Sequence, residues 1–146
     1  WLIVRGSVTL PLRLAQHQAN AAALAQFLEA DERIAYVAYP GLASHPQHEL
    51  ATRQMSGGGS LISLELAGGR DAVDRFLDGL QIFHLAESLG GVESLICHPA
   101  SMTHAGMTDE ARATAGISDG LLRLSVGVEG RDDLVSVIAQ ALDRCS

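Results

Sequence analysis

At 146 residues the chain suits one domain around one core, and 47% hydrophobic against 18% charged residues is the composition of a folded domain, not a disordered one. A formal charge of -7 argues against a nucleic-acid or anionic-membrane partner, since both need clustered Lys and Arg, and no apolar run reaches the roughly 20 residues that span a bilayer. All ten basic residues are Arg and none is Lys, so chemistry that begins with a lysine Schiff base has no starting point within these residues.

In chain order, a helix is expected from near Thr9, with Thr9 as N-cap and Pro11 in the first turn, where its missing N–H costs nothing. Leu10, Leu14, Ala21, Leu24 and Leu28 recur at three- and four-residue spacing and predict one apolar face. Ile34 to Tyr39 reads as a strand ending at Pro40-Gly41, and Pro46 to Met55 as a short helix broken by Ser56-Gly57-Gly58-Gly59. The glycine run is a poor phosphate loop, because no Lys-Ser/Thr follows it and it precedes a strand instead of opening a helix. Ser60 to Leu66 alternates as a half-buried strand, Asp71 to Leu80 carries Val73, Phe76, Leu77 and Leu80 at helical spacing, and Gln81 to Ala86 is a further strand. Glu87 to Gly106 shows no period and reads as a long irregular segment, a kind that tends to be functional. Thr108 caps a short helix ending near Gly116, Leu121 to Val128 is a strand, and Asp132 to Cys145 is the last helix, with Leu134, Ile138 and Ala141 on one face. The expected fold is therefore α/β, an α+β type two-layer sandwich: a mainly antiparallel sheet of about four strands with helices on one face.

Two cysteines, Cys97 and Cys145, make no disulfide framework and point to a reducing cytoplasm. The chain opens on Trp1, not Met, as expected of a segment of a longer polypeptide. The irregular segment gathers hydroxyls, two carboxylates, two imidazoles and a thiol between a strand and a helix, which makes it the place to look for a site. Residue types alone do not say which site.

Leu85 to Ile96, followed by His98-Pro99 and Met102-Thr103-His104, resembles the substrate-loop signature of the cystathionine γ-synthase, cystathionine γ-lyase and methionine γ-lyase family. The resemblance extends to Arg5-Gly6 with Thr9 to Arg13, to Tyr39 to Leu42 with Ser44 to His48, and to Gly116 to Gly120 running into Leu122 to Gly127, in the same order along nearly the whole chain. It implies the C-terminal, smaller domain of a fold-type I pyridoxal-phosphate enzyme of sulfur amino-acid metabolism, acting by γ-replacement or γ-elimination on cystathionine, homoserine esters or methionine. In that family the larger N-terminal domain holds pyridoxal phosphate through a lysine, an aspartate and a stacking tyrosine. This chain then contributes no catalytic or cofactor-binding residue of its own and is inactive alone. Its partners are a small amino-acid substrate and the cofactor domain, with a homotetramer as the intact enzyme.

Four residues carry over in the substrate-binding role. Arg123 matches the arginine that pairs with the substrate α-carboxylate, a task suited to a guanidinium fork that always keeps its charge. Ser88 with Leu89 matches a backbone corner facing that carboxylate, and Glu87 a position near the substrate's distal side chain.

Against this stand three other readings. His45, His48, Cys97, His98 and His104 lack the tight paired spacing of a tetrahedral metal site, and Pro46 lies between the first two, so no metal is expected. A Cys97 nucleophile with His98 or His104 is disfavoured because catalytic pairs are spatial, not sequential. A stand-alone non-catalytic binding or interaction domain is the alternative function; a lysine-bearing cofactor domain encoded upstream would exclude it.

Overall fold

The computed structural model describes residues 1–145. Six helices and five strands follow in the order α1 (Leu2–Ser7), α2 (Leu10–Glu29), β1 (Ile34–Ala38), α3 (His48–Gln54), β2 (Leu61–Leu66), α4 (Gly69–Asp78), β3 (His84–Leu85), β4 (Leu95–Cys97), α5 (Asp109–Thr114), β5 (Leu121–Ser125) and α6 (Arg131–Asp143). The strands form one sheet in the order β1-β2-β5-β4-β3. Neighbours pair antiparallel except β3 and β4, which are parallel with His84 opposite Leu95 and Leu85 opposite Ile96.

This corrects the expected sheet of about four mainly antiparallel strands to a mixed sheet of five. The extra strand is β4, inside the segment read as irregular. Its three residues are buried on both faces, so they leave no alternation for a period to reveal. The strand expected over Gln81 to Ala86 is shortened to two residues.

Period two organises β2 and β5. Ile62, Leu64 and Leu66, with Leu122 and Leu124, are at most 2% exposed and face a layer formed by α2, α4 and α6. That layer contributes Leu24, Leu28, Phe76, Leu134 and Ile138 to the same core. On α2 the buried positions are His17, Asn20, Ala21, Leu24, Ala25 and Leu28, a stripe at helical spacing. Leu10 and Leu14, expected on that face, are exposed. Helix α5 belongs to the other side: with Glu65, which alternates with Leu64 and Leu66, it borders a cleft of about 510 Å3.

The glycine run after α3 serves packing. Tyr39, buried at the end of β1, donates its hydroxyl proton to the Gly59 carbonyl at 3.1 Å, and burial raises its pKa above the ordinary phenol value. A Cβ on Gly58 would lie 2.6 Å from the Tyr39 ring and 2.8 Å from the Gly41 nitrogen, and Gly59 has φ +79, so neither position suits a side chain.

Candidate functional site

The face of β5 turned away from the core carries Leu121, Arg123 and Ser125. Arg123 lies between Ser63 on β2 and Cys97 on β4 in register. Its Nη2 donates to the Glu87 carbonyl at 2.8 Å and to the Ser88 carbonyl at 3.1 Å. Its Nε is buried and has no hydrogen-bond partner. A buried donor without an acceptor costs the desolvation of that group; Nη1 also makes no hydrogen bond among the described residues but is not buried, so it is the N–H open to an incoming oxygen.

The segment 86–94 joins the two parallel strands β3 and β4. Its two ends stay on the β3–β4 pairing, with the Ala86 N–H on the Ile96 carbonyl at 2.8 Å and the His84 N–H on the Ser94 carbonyl at 3.0 Å, and the stretch between is held by the residues that follow Arg123. Ser125 Oγ accepts the Gly90 N–H at 2.9 Å. The Val128 N–H reaches the Val92 carbonyl at 2.9 Å, and the Gly127 N–H reaches Ser94 Oγ at 2.8 Å. Glu129 closes the set: its carboxylate takes the Ser94 N–H at 2.6 Å on Oε1 and the Ser94 hydroxyl at 2.8 Å on Oε2. Behind them α2 fixes the same stretch. His17 Nδ1 lies 2.6 Å from the Val126 carbonyl and so carries the proton, while Asn20 Nδ2 donates to the carbonyls of Gly127 and Glu129 at 3.0 and 2.9 Å.

The structure thus brings Arg123, Glu87 and Ser88 together, but through the backbone of the two loop residues. Among the described residues the Glu87 carboxylate makes no hydrogen bond or ion pair, and Ser88 and Leu89 are exposed. Glu129, Ser94, Ser125 and Gly90 were not singled out from the sequence. The signal available was the spacing Arg123, Ser125, Gly127, Glu129, which sets every second residue against one loop.

The other candidates do not join this arrangement through their side chains, although Cys97 pairs with Arg123 through the backbone. Cys97 is fully buried, while His98 turns its ring nitrogens to Ser101 Oγ at 2.7 Å and the Asp119 carbonyl at 3.1 Å, and His104 Nδ1 lies 2.8 Å from Thr103 Oγ1. His48 Nδ1 meets the Pro40 carbonyl and His45 Nδ1 accepts the Gln47 N–H. Among the described residues no three His, Cys, Asp or Glu side chains gather as a metal cluster. Nor is any helix there long and apolar enough to cross a membrane. Ser118 Oγ is a second buried, unpaired polar atom and borders the α5 cleft with Asp109, Arg112 and Asp119.

Residues 1–143 match the model of the Cys/Met metabolism PLP-dependent enzyme family, and the chain belongs to that family. It is 54% identical over 144 residues to a cystathionine beta-lyase of Lactococcus lactis subsp. cremoris (strain MG1363), covering 99% of this chain and 38% of that protein. It is 53% identical over 141 residues to an L-methionine gamma-lyase of Pseudomonas putida, covering 97% and 35%. It superposes on a crystal structure of cystathionine gamma synthase from Xanthomonas oryzae pv. oryzae in complex with aminoacrylate and cysteine, with TM-score 0.93 and 58% identity over 97% of this chain and 36% of that one. The chain spans little more than a third of the length of these relatives. Pyridoxal phosphate is the cofactor of the family. Among the 146 residues there is no lysine amine to bind it covalently.

Proposed function

We propose that this chain is the C-terminal, substrate-carboxylate-binding domain of a pyridoxal-phosphate enzyme that works on a sulfur amino acid or a homoserine ester. Arg123 pairs with the substrate α-carboxylate. The observation that carries this is the divided state of its guanidinium, with Nη2 held by two loop carbonyls and Nη1 unburied and without a partner among the described residues. One half of the fork fixes the side chain and the other half is left for a carboxylate oxygen. The backbone at Ser88 and Leu89 forms the corner beside that carboxylate, and Glu87, exposed and free of side-chain partners among the described residues, faces the substrate's distal end. The cofactor, its lysine and the rest of the catalytic machinery belong to a large domain joined to this one. The intact enzyme is a cytoplasmic homotetramer, and this segment is inactive by itself. Relatives named for β-lyase and γ-lyase chemistry stand at nearly equal identity, so the γ-carbon preference rests on Glu87 alone.

The test is kinetic, on the complete gene product. Losing one side of a desolvated charge pair costs roughly 2–5 kcal/mol, so Arg123→Ala should lower kcat/KM by about 30- to several-thousand-fold. Arg123→Lys should recover only part, because an ammonium keeps the charge but loses the fork. The cofactor absorption band should persist in both. Near-normal kcat/KM in Arg123→Ala would refute the assignment.

A further inference from the structure

Four alternate residues after the middle of β5 act on one loop. Arg123 donates to the carbonyls of Glu87 and Ser88, Ser125 accepts from Gly90, Gly127 donates to Ser94 Oγ, and Glu129 accepts twice from Ser94. The first contact orients the arginine. The others help determine where the orienting carbonyls stand, because residues 87–93, between the Ala86 and Ser94 contacts to the β3–β4 pair, form no strand and include Gly90 at φ +78 and Gly91.

Glu129 is the strongest of these grips. Its two oxygens take both the backbone and the side-chain donor of Ser94, a residue with no exposed surface, and hydrogen bonds to a charged acceptor are the stronger kind. The Ser94 carbonyl in turn accepts the His84 N–H at 3.0 Å, so the same residue fastens β3. Remove the carboxylate, and a buried N–H and hydroxyl lose their acceptor. The loop must then move to find another, and the two carbonyls on Arg123 move with it.

We propose that Glu129 is a positioning residue for substrate binding: through Ser94 and the 87–94 loop it sets the pose in which Arg123 meets the α-carboxylate. It touches no substrate itself. The proposal rests on the reading that Arg123 binds that carboxylate.

The experiment uses the complete gene product with pyridoxal phosphate bound and L-cystathionine as substrate. Glu129→Ala should raise KM by about 10- to 100-fold, as expected for loss of charge-assisted hydrogen bonds, while kcat changes by less than about threefold. Glu129→Gln should recover part of this, because the amide oxygen still accepts the Ser94 N–H, and it decides the matter if the alanine variant does not fold. Added to Arg123→Ala, either substitution should have no further effect, since the group it positions is gone. Independently of turnover, amide exchange in residues 87–94 should speed up in the Glu129 variants while residues 121–125 stay protected. Unchanged KM, unchanged exchange, or effects that simply add to those of Arg123→Ala would overturn the role of Glu129. If Arg123→Ala itself leaves KM and kcat/KM unaltered, the carboxylate reading falls first and this proposal with it.

Discussion

On β5, Leu122 and Leu124 lie against the helices with no exposed surface, whereas Arg123, one residue away, turns to the other side of the sheet and holds two carbonyls of a loop. Ser125 is as buried as the leucines, yet it spends its hydroxyl on Gly90. The two faces are built by different physics. The helix side is apolar contact among Leu24, Leu28, Phe76, Ile62, Leu64 and Ile138, non-directional and dependent on filled volume. The loop side is hydrogen bonding at fixed geometry, with few apolar contacts, and its accuracy depends on each partner being present. A strand can serve both because its side chains alternate, so a core-filling set and a loop-holding set share one backbone without competing for positions.

If that division is real, the largest effect on stability comes from the helix side. Leu124→Ala removes a fully buried side chain from the middle of the core and should cost about 2–5 kcal/mol, read from urea unfolding. Arg123→Ala in the same assay should cost much less, because it loses two hydrogen bonds from a partly exposed side chain on the loop face and removes no side chain from the helix-side core. Equal losses for the two would erase the distinction between the faces.

Gly127 tests where the faces meet. A Cβ there would sit 2.4 Å from the Val92 carbonyl oxygen and 2.7 Å from the Ser94 nitrogen, both backbone atoms of the clasped loop. Gly127→Ala must therefore push the loop away or distort the end of β5, at about 1–3 kcal/mol. The amides of Gly90 and Ser94 should lose protection while those of β2 keep it. Protection lost evenly over the sheet would mean that the loop and the core do not open separately.

The contrast also explains what the sequence made legible. Apolar spacing located α2, α4, α6, β2 and β5, because each has one buried and one open side and so carries a period. It missed β4, whose Leu95, Ile96 and Cys97 are buried on both faces, and α1, which among the described residues buries nothing. It also put Leu10 and Leu14 on the apolar face of α2, whereas the buried stripe begins with His17 and Asn20, polar residues recruited to hold carbonyls of 126–129. Resemblance to a family drew attention to Arg123, but not to the residues that hold the loop beside it. Nothing in the residue types announces that Glu129 faces Ser94, since that contact joins positions 35 apart.

The smallest expected effect concerns the Arg33 cluster on the helix side, at the edge of the core. Arg33 binds Asp31 through Nε at 2.8 Å and Nη2 at 2.6 Å and reaches Asp143 at 2.8 Å, joining the end of α2 to the end of α6. The Arg33 guanidinium holds the Asp31 carboxyl below its ordinary pKa, chiefly by hydrogen bonding. A carboxyl whose folded pKa is depressed adds stability above its unfolded pKa of about 3.9 and loses it as pH falls through the lower folded value. Asp143 is 74% exposed at its side chain and Arg33 31%, so solvent screens the cluster and its contribution should stay near or below about 1 kcal/mol. Asp31→Asn should accordingly be slightly less stable than the parent at neutral pH, and the gap should narrow as pH falls below the ordinary carboxylate range and through the depressed folded pKa. Urea unfolding of both proteins across that range reads the difference directly. A gap that persists in acid would show that the amide disrupts packing instead of removing a charge. A gap as large as that of Leu124→Ala would place a charged cluster among the supports of the fold and break the comparison between the two faces.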